Sequence, residues 1–102
     1  MELTAGSRWH SAVCETEVVV VKAPGAPVTL ECGGAPVVPL GEYAPAGLSL
    51  DADHSGGTPM GKRFADPESG IEVLATKPGA GSLSIDGTPL PLKDAKPLPA
   101  SD

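Results

Sequence analysis

The chain has 102 residues and a formal net charge of −6 at pH 7; 40% of its residues are hydrophobic and 3% are aromatic. This length predicts one compact unit, and the acidic balance argues against nucleic acid as a partner because the two would repel each other. No window approaches 18 apolar residues and no basic-then-apolar leader begins the chain, so we expect a cytoplasmic protein without a membrane partner.

The first predicted unit, residues 4–40, consists of short strands and tight turns. Its strand-like runs are 7–13, 16–22, 28–31 and, as a short edge, 37–40. The second run contains four consecutive valines, whose β-branched side chains disfavour a helix, so we expect a strand covered on both faces. Gly33-Gly34 falls after the third run and predicts a tight turn.

A linker, residues 41–60, follows the first unit. Leu48-Ser49-Leu50 alternates apolar and polar residues and predicts a further short strand. Residues 51–58 are polar and rich in Gly and Asp, which predicts a loop.

The second predicted unit spans residues 61–93. Its strand-like runs are 62–65, 70–76, 82–85 and 90–92. Asp86-Gly87, between the last two runs, is a strong hairpin signal. The Pro-rich residues 94–102 predict an extended tail that offers a surface to a partner.

The two units repeat one another. Residues 6–9 (GSRW) return at 61–64 (GKRF), and residues 17–22 (EVVVVK) return at 72–77 (EVLATK), both at an offset of 55. Further along, Leu30 and Gly34 return as Leu83 and Gly87, at an offset of 53. An internal repeat predicts similar supersecondary units packed on each other. We therefore predict an all-β fold: two tandem small β-ribbon repeats packed as a pseudo-dimer, rich in turns and without a long helix.

The abundance of Ala, Gly, Pro and Val favours a bacterial, high-GC genome.

The two cysteines are predicted to lie together. Cys14 ends one strand–turn element and Cys32 opens another, 18 residues later. In a three-stranded ribbon both would lie at the same end, each in a tight turn. Two such turns can present thiolates to one tetrahedral iron or zinc ion.

The residues around the cysteines resemble a known family. Residues 9–19 (WHSAVCETEVV) and 30–37 (LECGGAPV) are similar to desulforedoxin and to the amino-terminal domain of desulfoferrodoxin, which have a rubredoxin-like ribbon. The resemblance implies a scaffold built for one iron ion held by four cysteines.

The four ligand positions implied by this resemblance are largely lost. They are occupied in the first unit by Ser11, Cys14, Cys32 and Gly33, and in the second by Asp66, Ser69, Ile85 and Asp86. Two thiolates cannot close a tetrahedral site by themselves. We expect a degenerate metal site and no resident cofactor, with iron or zinc possible only at a remnant.

Three interpretations of the cysteine pair follow from the residues. Cys14 and Cys32 are two small buried hydrophobes, or a disulfide that forms constitutively or on oxidation, or part of a rebuilt metal site. For the rebuilt site the nearby candidates are His10 and Glu15, and a second copy of the chain would supply two more thiolates.

The sequence predicts no catalytic cluster and leaves three classes of function open. The first is a small non-enzymatic accessory or scaffold protein that binds a protein partner, or forms a homo-oligomer, through strand edges and its tail. The second is a metal-binding or redox protein that uses Cys14 and Cys32, as a thiol switch or in electron transfer. The third is a small lyase or isomerase that uses His10 or His54.

His54 also follows Asp51 and Asp53, an arrangement more typical of a polar linker than of a cation site.

Overall fold

The computed structural model describes residues 1–93 and shows an all-β protein. Its strands are β1 (Arg8–His10), β2 (Glu17–Lys22), β3 (Leu30–Cys32), β4 (Ala35–Pro36), β5 (Val38–Pro39), β6 (Arg63–Ala65), β7 (Glu72–Lys77), β8 (Leu83–Ile85) and β9 (Thr88–Pro89). A single 3₁₀ turn, Ala52–His54, is the one helical element in this part of the chain. The prediction of an all-β fold without a long helix is therefore confirmed, and no helix within residues 1–93 has the length and apolarity to cross a membrane.

The strands form two antiparallel sheets with related layouts. The five-stranded sheet has the order β5-β1-β2-β7-β6 and the four-stranded sheet has the order β4-β3-β8-β9. At the centre of each, a strand of the first half pairs with its counterpart from the second: β2 with β7, and β3 with β8. This layout is the one expected for two similar units packed together, whereas a tandem duplication itself stays a prediction.

One hydrophobic core joins the two sheets. It contains Val20 and Val73 from the five-stranded sheet together with Leu30 and Leu83 from the four-stranded sheet. Along β2 the side chains alternate, because a strand turns successive side chains to opposite faces. Val20 is fully buried while Val21 is 40% exposed. The expectation that this strand is covered on both faces was wrong, since one face of the sheet meets solvent.

The strands β3 and β8 are each followed by a two-residue turn. Gly33 and Gly34 have φ of 67° and 88°, and Asp86 and Gly87 have φ of 49° and 85°. Positive φ at both central residues is the geometry of a type I′ hairpin turn. The hairpin predicted at Asp86-Gly87 is confirmed. An equivalent hairpin, with Gly33-Gly34 at its turn, lies directly after Cys32.

Three strand predictions need correction. The first run ends at His10 rather than residue 13, because the hydroxyl of Ser11 captures the next backbone N–H groups in a turn. Residues 48–50 form no strand, because the chain there is drawn over the Gly33 turn by a hydrogen bond from the N–H of Asp51 to the carbonyl of Gly33. The last strand is Thr88–Pro89, immediately after the turn, rather than 90–92. The predicted tail, 94–102, lies outside the described residues.

Candidate functional site

The candidate site is the pair of thiols at one end of the first half. Cys14 lies in the turn between β1 and β2, and Cys32 is the last residue of β3. Their sulfur atoms are 3.9 Å apart, and both cysteines are free thiols. Cys32 is fully buried, whereas Cys14 is partly exposed. The structure therefore brings together the two cysteines that the turn pattern placed at one end.

A serine and a threonine shape the turn that carries Cys14. The hydroxyl of the buried Ser11 accepts hydrogen bonds from the backbone N–H groups of Val13 and Cys14, each at 3.1 Å. The N–H of Ser11 donates to the carbonyl of Thr16 at 2.8 Å and closes the turn. The Thr16 hydroxyl, also buried, lies 3.3 Å from the Cys14 sulfur. Sequence reasoning missed Thr16, because nothing in the residue pattern marks it as a neighbour of the sulfur.

The Gly33-Gly34 turn allows the chain to pack tightly behind Cys32. A Cβ atom on Gly33 would lie 2.5 Å from Val13 Cγ2 and 2.7 Å from Leu50 Cδ1. The positive φ and this crowding both require glycine. The side chains of Val13 and Leu50 therefore pack directly against the backbone of the turn that follows Cys32.

A loop from the second half closes the site over Cys14. The N–H of Gly81 points at the Cys14 sulfur, at 3.4 Å. A Cβ atom on either Gly79 or Gly81 would lie 3.1 Å from the same sulfur. Thr58 holds the loop in place, because its N–H donates to the carbonyl of Gly79 and its hydroxyl donates to that of Gly81. The sequence did show a Gly-Ala-Gly run here, but gave no sign that it would cross to the other half.

These contacts move the two thiol pKa values in opposite directions. Burial by itself raises the pKa of Cys14, but hydrogen bonds from the side chains of Ser11 and Thr16 and from the backbone of Thr16 and Gly81 outweigh it and lower the pKa to about 7. Burial raises the pKa of Cys32 to about 11, with a further contribution from the negative charge of the Cys14 thiolate. At neutral pH Cys32 therefore keeps its proton while about half of the Cys14 thiol is ionised, so the negative charge of the pair lies on Cys14.

The other predicted site residues lie elsewhere or make other contacts. Both ring nitrogens of His10 face backbone carbonyl oxygens, Nδ1 that of Ser11 at 2.9 Å and Nε2 that of Glu42 at 2.7 Å. The Glu15 side chain is 81% exposed and lies 3.8 Å from Lys77 Nζ. His54 lies in the 3₁₀ turn, which the Asp51 side chain caps by accepting from the N–H of Asp53.

The residues present do not fit a four-ligand iron or zinc site. Within residues 1–93, no group of three or more His, Cys, Asp or Glu side chains is placed to hold a metal ion. At the implied ligand positions, the Ser11 hydroxyl accepts hydrogen bonds from the backbone of its own turn, and Gly33 has no side chain.

The second half carries the same turns without the sulfurs. The Asp66 carboxylate accepts from the N–H groups of Glu68 and Ser69, as the Ser11 hydroxyl does in the first half. Ile85 ends β8 where Cys32 ends β3. Instead of a closed site, an open pocket of about 330 Å³ lies here, between these residues and Val28.

Comparison with known proteins found no matching family model, no matching curated protein and no matching solved structure. The likeness to desulforedoxin therefore stays a prediction.

Proposed function

We propose that the protein is a thiol switch in which Cys14 and Cys32 cycle between two thiols and one intramolecular disulfide. The observation that carries this proposal is the 3.9 Å separation between the sulfur atoms of a partly exposed cysteine and a fully buried one. A disulfide bond is about 2.05 Å long, so the sulfurs must approach each other by about 2 Å, a distance that side-chain rotation covers.

The oxidant we propose is a small disulfide, R–S–S–R. The Cys14 thiolate attacks one sulfur of it, which forms a mixed disulfide and releases one thiolate, RS⁻. Cys32 then loses its proton and attacks the Cys14 sulfur, which releases the second RS⁻ and forms the Cys14–Cys32 bond. The protein loses two electrons, and the small disulfide gains them.

The electrostatics of the pair supports this order of events. A thiolate is the attacking species, and the pKa of Cys14, about 7, leaves about half of this group ionised at neutral pH. The thiol of Cys32 stays protonated beside it. Once Cys14 is in a mixed disulfide its charge is gone, so the electrostatic part of the raised Cys32 pKa disappears and Cys32 becomes easier to ionise.

The switch is offered as the activity of an accessory protein rather than of an enzyme. A reducing, cytoplasmic compartment, which we predicted from the sequence, would hold the pair as thiols until an oxidant arrives. Partner binding through strand edges stays a prediction. The outer edge of β6 is already hydrogen-bonded to the chain at 91–93, and the edge strand β5 is two residues long and ends in Pro39.

The test is mass spectrometry of the reduced protein after exposure to glutathione disulfide. We expect a loss of two hydrogens per chain, with no change in oligomeric size. With Cys32→Ser we expect a stable mixed disulfide at Cys14, because no second thiol resolves it. With Cys14→Ser we expect almost no adduct, because the remaining thiol is buried and protonated. Circular dichroism of each variant checks that it is folded. Equal amounts of glutathione adduct on the two single variants, or disulfides that join two chains, would refute the switch.

A further inference from the structure

We propose that the reduced Cys14–Cys32 pair also binds one copper(I) ion, a ligand class that goes beyond the redox switch. Two metal–sulfur bonds of about 2.3 Å reach across at most about 4.6 Å. The sulfurs are 3.9 Å apart, so one ion between them contacts both in a bent arrangement without moving the backbone.

The number and type of donors select this ion. The site offers two sulfur donors, and within the described residues no third His, Cys, Asp or Glu side chain joins them in a metal-binding group. Structural zinc sites in proteins are closed by four ligands and catalytic ones use three protein ligands, whereas soft thiolates favour copper(I), which accepts two or three ligands. A deficit of ligands that argues against zinc therefore does not argue against copper(I).

The surroundings suit the charge of the complex. Two thiolates and one monovalent cation leave a net charge of −1. The N–H of Gly81 and the hydroxyl of Thr16, 3.4 Å and 3.3 Å from the Cys14 sulfur, are placed to stabilise that charge. Cys32 lies in the hydrophobic core with no exposed surface, so its side of the ion would be shielded from water and from competing ligands.

The route of entry is through Cys14. Cys14 is the partly exposed residue of the pair, whereas Cys32 has no exposed surface. The ion contacts the Cys14 sulfur first and then the sulfur of Cys32, and because both ligands bind as thiolates, any thiol proton still present is released on binding.

The test uses copper(I) as its acetonitrile complex, added without oxygen to the reduced full-length protein in competition with a coloured copper(I) chelator. We expect one ion per chain on a monomer and an affinity that falls more than about 100-fold in Cys14→Ser and in Cys32→Ser. The matched control is Ser69→Ala, in the equivalent turn of the second half, which should bind copper as the parent does. Zinc under the same conditions should be removed by a weak chelator.

Several outcomes would overturn the proposal. They are complete loss of copper to the chelator, unchanged affinity in Cys32→Ser, and an ion shared between two chains. These outcomes are independent of the thiol switch, which is scored by disulfide formation without metal. A protein that holds copper but does not exchange disulfides would support this inference and refute the other.

Discussion

The two halves of the molecule share the same backbone turns but carry different side chains at them. In the first half, the N–H of Ser11 donates to the carbonyl of Thr16 at 2.8 Å, and in the second half the N–H of Asp66 donates to that of Ile71 at 3.0 Å. Each half follows with a two-residue turn of positive φ. The first half holds two sulfurs in a closed site, and the second holds Ser69 beside an open pocket. The turns therefore do not depend on the sulfurs, and a few side chains and the crossing loop decide the chemistry.

The largest expected contrast between the halves lies in their crossing loops. A Cβ atom on Gly79 would lie 2.5 Å from the backbone nitrogen of Thr16 and still closer to its hydroxyl, whereas a Cβ on Gly25, the counterpart, would have its nearest contact at 3.6 Å. We expect Gly79→Ala to lower the free energy of unfolding by about 3 kcal/mol and Gly25→Ala to change it by less than about 1 kcal/mol. Urea unfolding of both variants measures this. Equal effects would contradict the close packing of the loop on Cys14.

The second contrast is between the oxidised and the reduced protein. Cys14 and Cys32 are 18 residues apart, and closing a loop of this size raises the free energy of unfolding by about 3 kcal/mol in the chain-entropy model. We expect the disulfide form to unfold at higher urea concentration than the reduced form. The serine variants, treated with the same oxidant, should show no such shift. A destabilised oxidised form would mean that the bond strains the two turns.

A smaller effect is expected when a third thiol is introduced into the second half. In Ser69→Cys the new thiol would lie beside the Asp66 carboxylate, where Cys14 has a neutral serine hydroxyl instead. A neighbouring negative charge disfavours a thiolate. We expect the new thiol to react with iodoacetamide at pH 7 about tenfold more slowly than Cys14 in the same molecule. Peptide mapping after timed alkylation compares the two rates, and equal rates would show that the turn alone activates the sulfur.

The last contrast is between the two thiols themselves, in the pH dependence of stability of the reduced protein. The pKa of Cys14 falls from 9.0 to about 7 on folding, so its contribution is present above pH 9 and is lost as the pH falls through 7. The pKa of Cys32 rises from 9.0 to about 11, so its protonated form favours folding below pH 9 and this contribution is lost as the pH rises through 11. Relative to the Cys14→Ser, Cys32→Ser double variant, stability should rise between pH 7 and 9 and fall between pH 9 and 11. Thermal unfolding across this range tests both slopes.

Local signals predicted the frame of this protein well. Asp86-Gly87 and Gly33-Gly34 are two-residue turn sequences whose φ values depend on the residues themselves, so their hairpins follow from the sequence. The closeness of Cys14 and Cys32 followed from the same turn pattern.

Contacts between the halves could not be predicted in the same way. The loop at Gly81 reaches Cys14 across 67 positions of the chain, and no periodicity or propensity encodes such a contact. Leu50 likewise looked like part of a strand by alternation, yet it packs over Gly33 because the linker must pass the first turn. Long-range packing, rather than local preference, decided both.

The loop that crosses from the second half has a consequence for biosynthesis. Until Gly81 has left the ribosome, Cys14 lacks both this N–H donor and the cover that the loop provides. The half-made chain therefore carries a Cys14 thiol without this cover, and the contribution of Gly81 to its lowered pKa is added only when the second half has been translated and has folded.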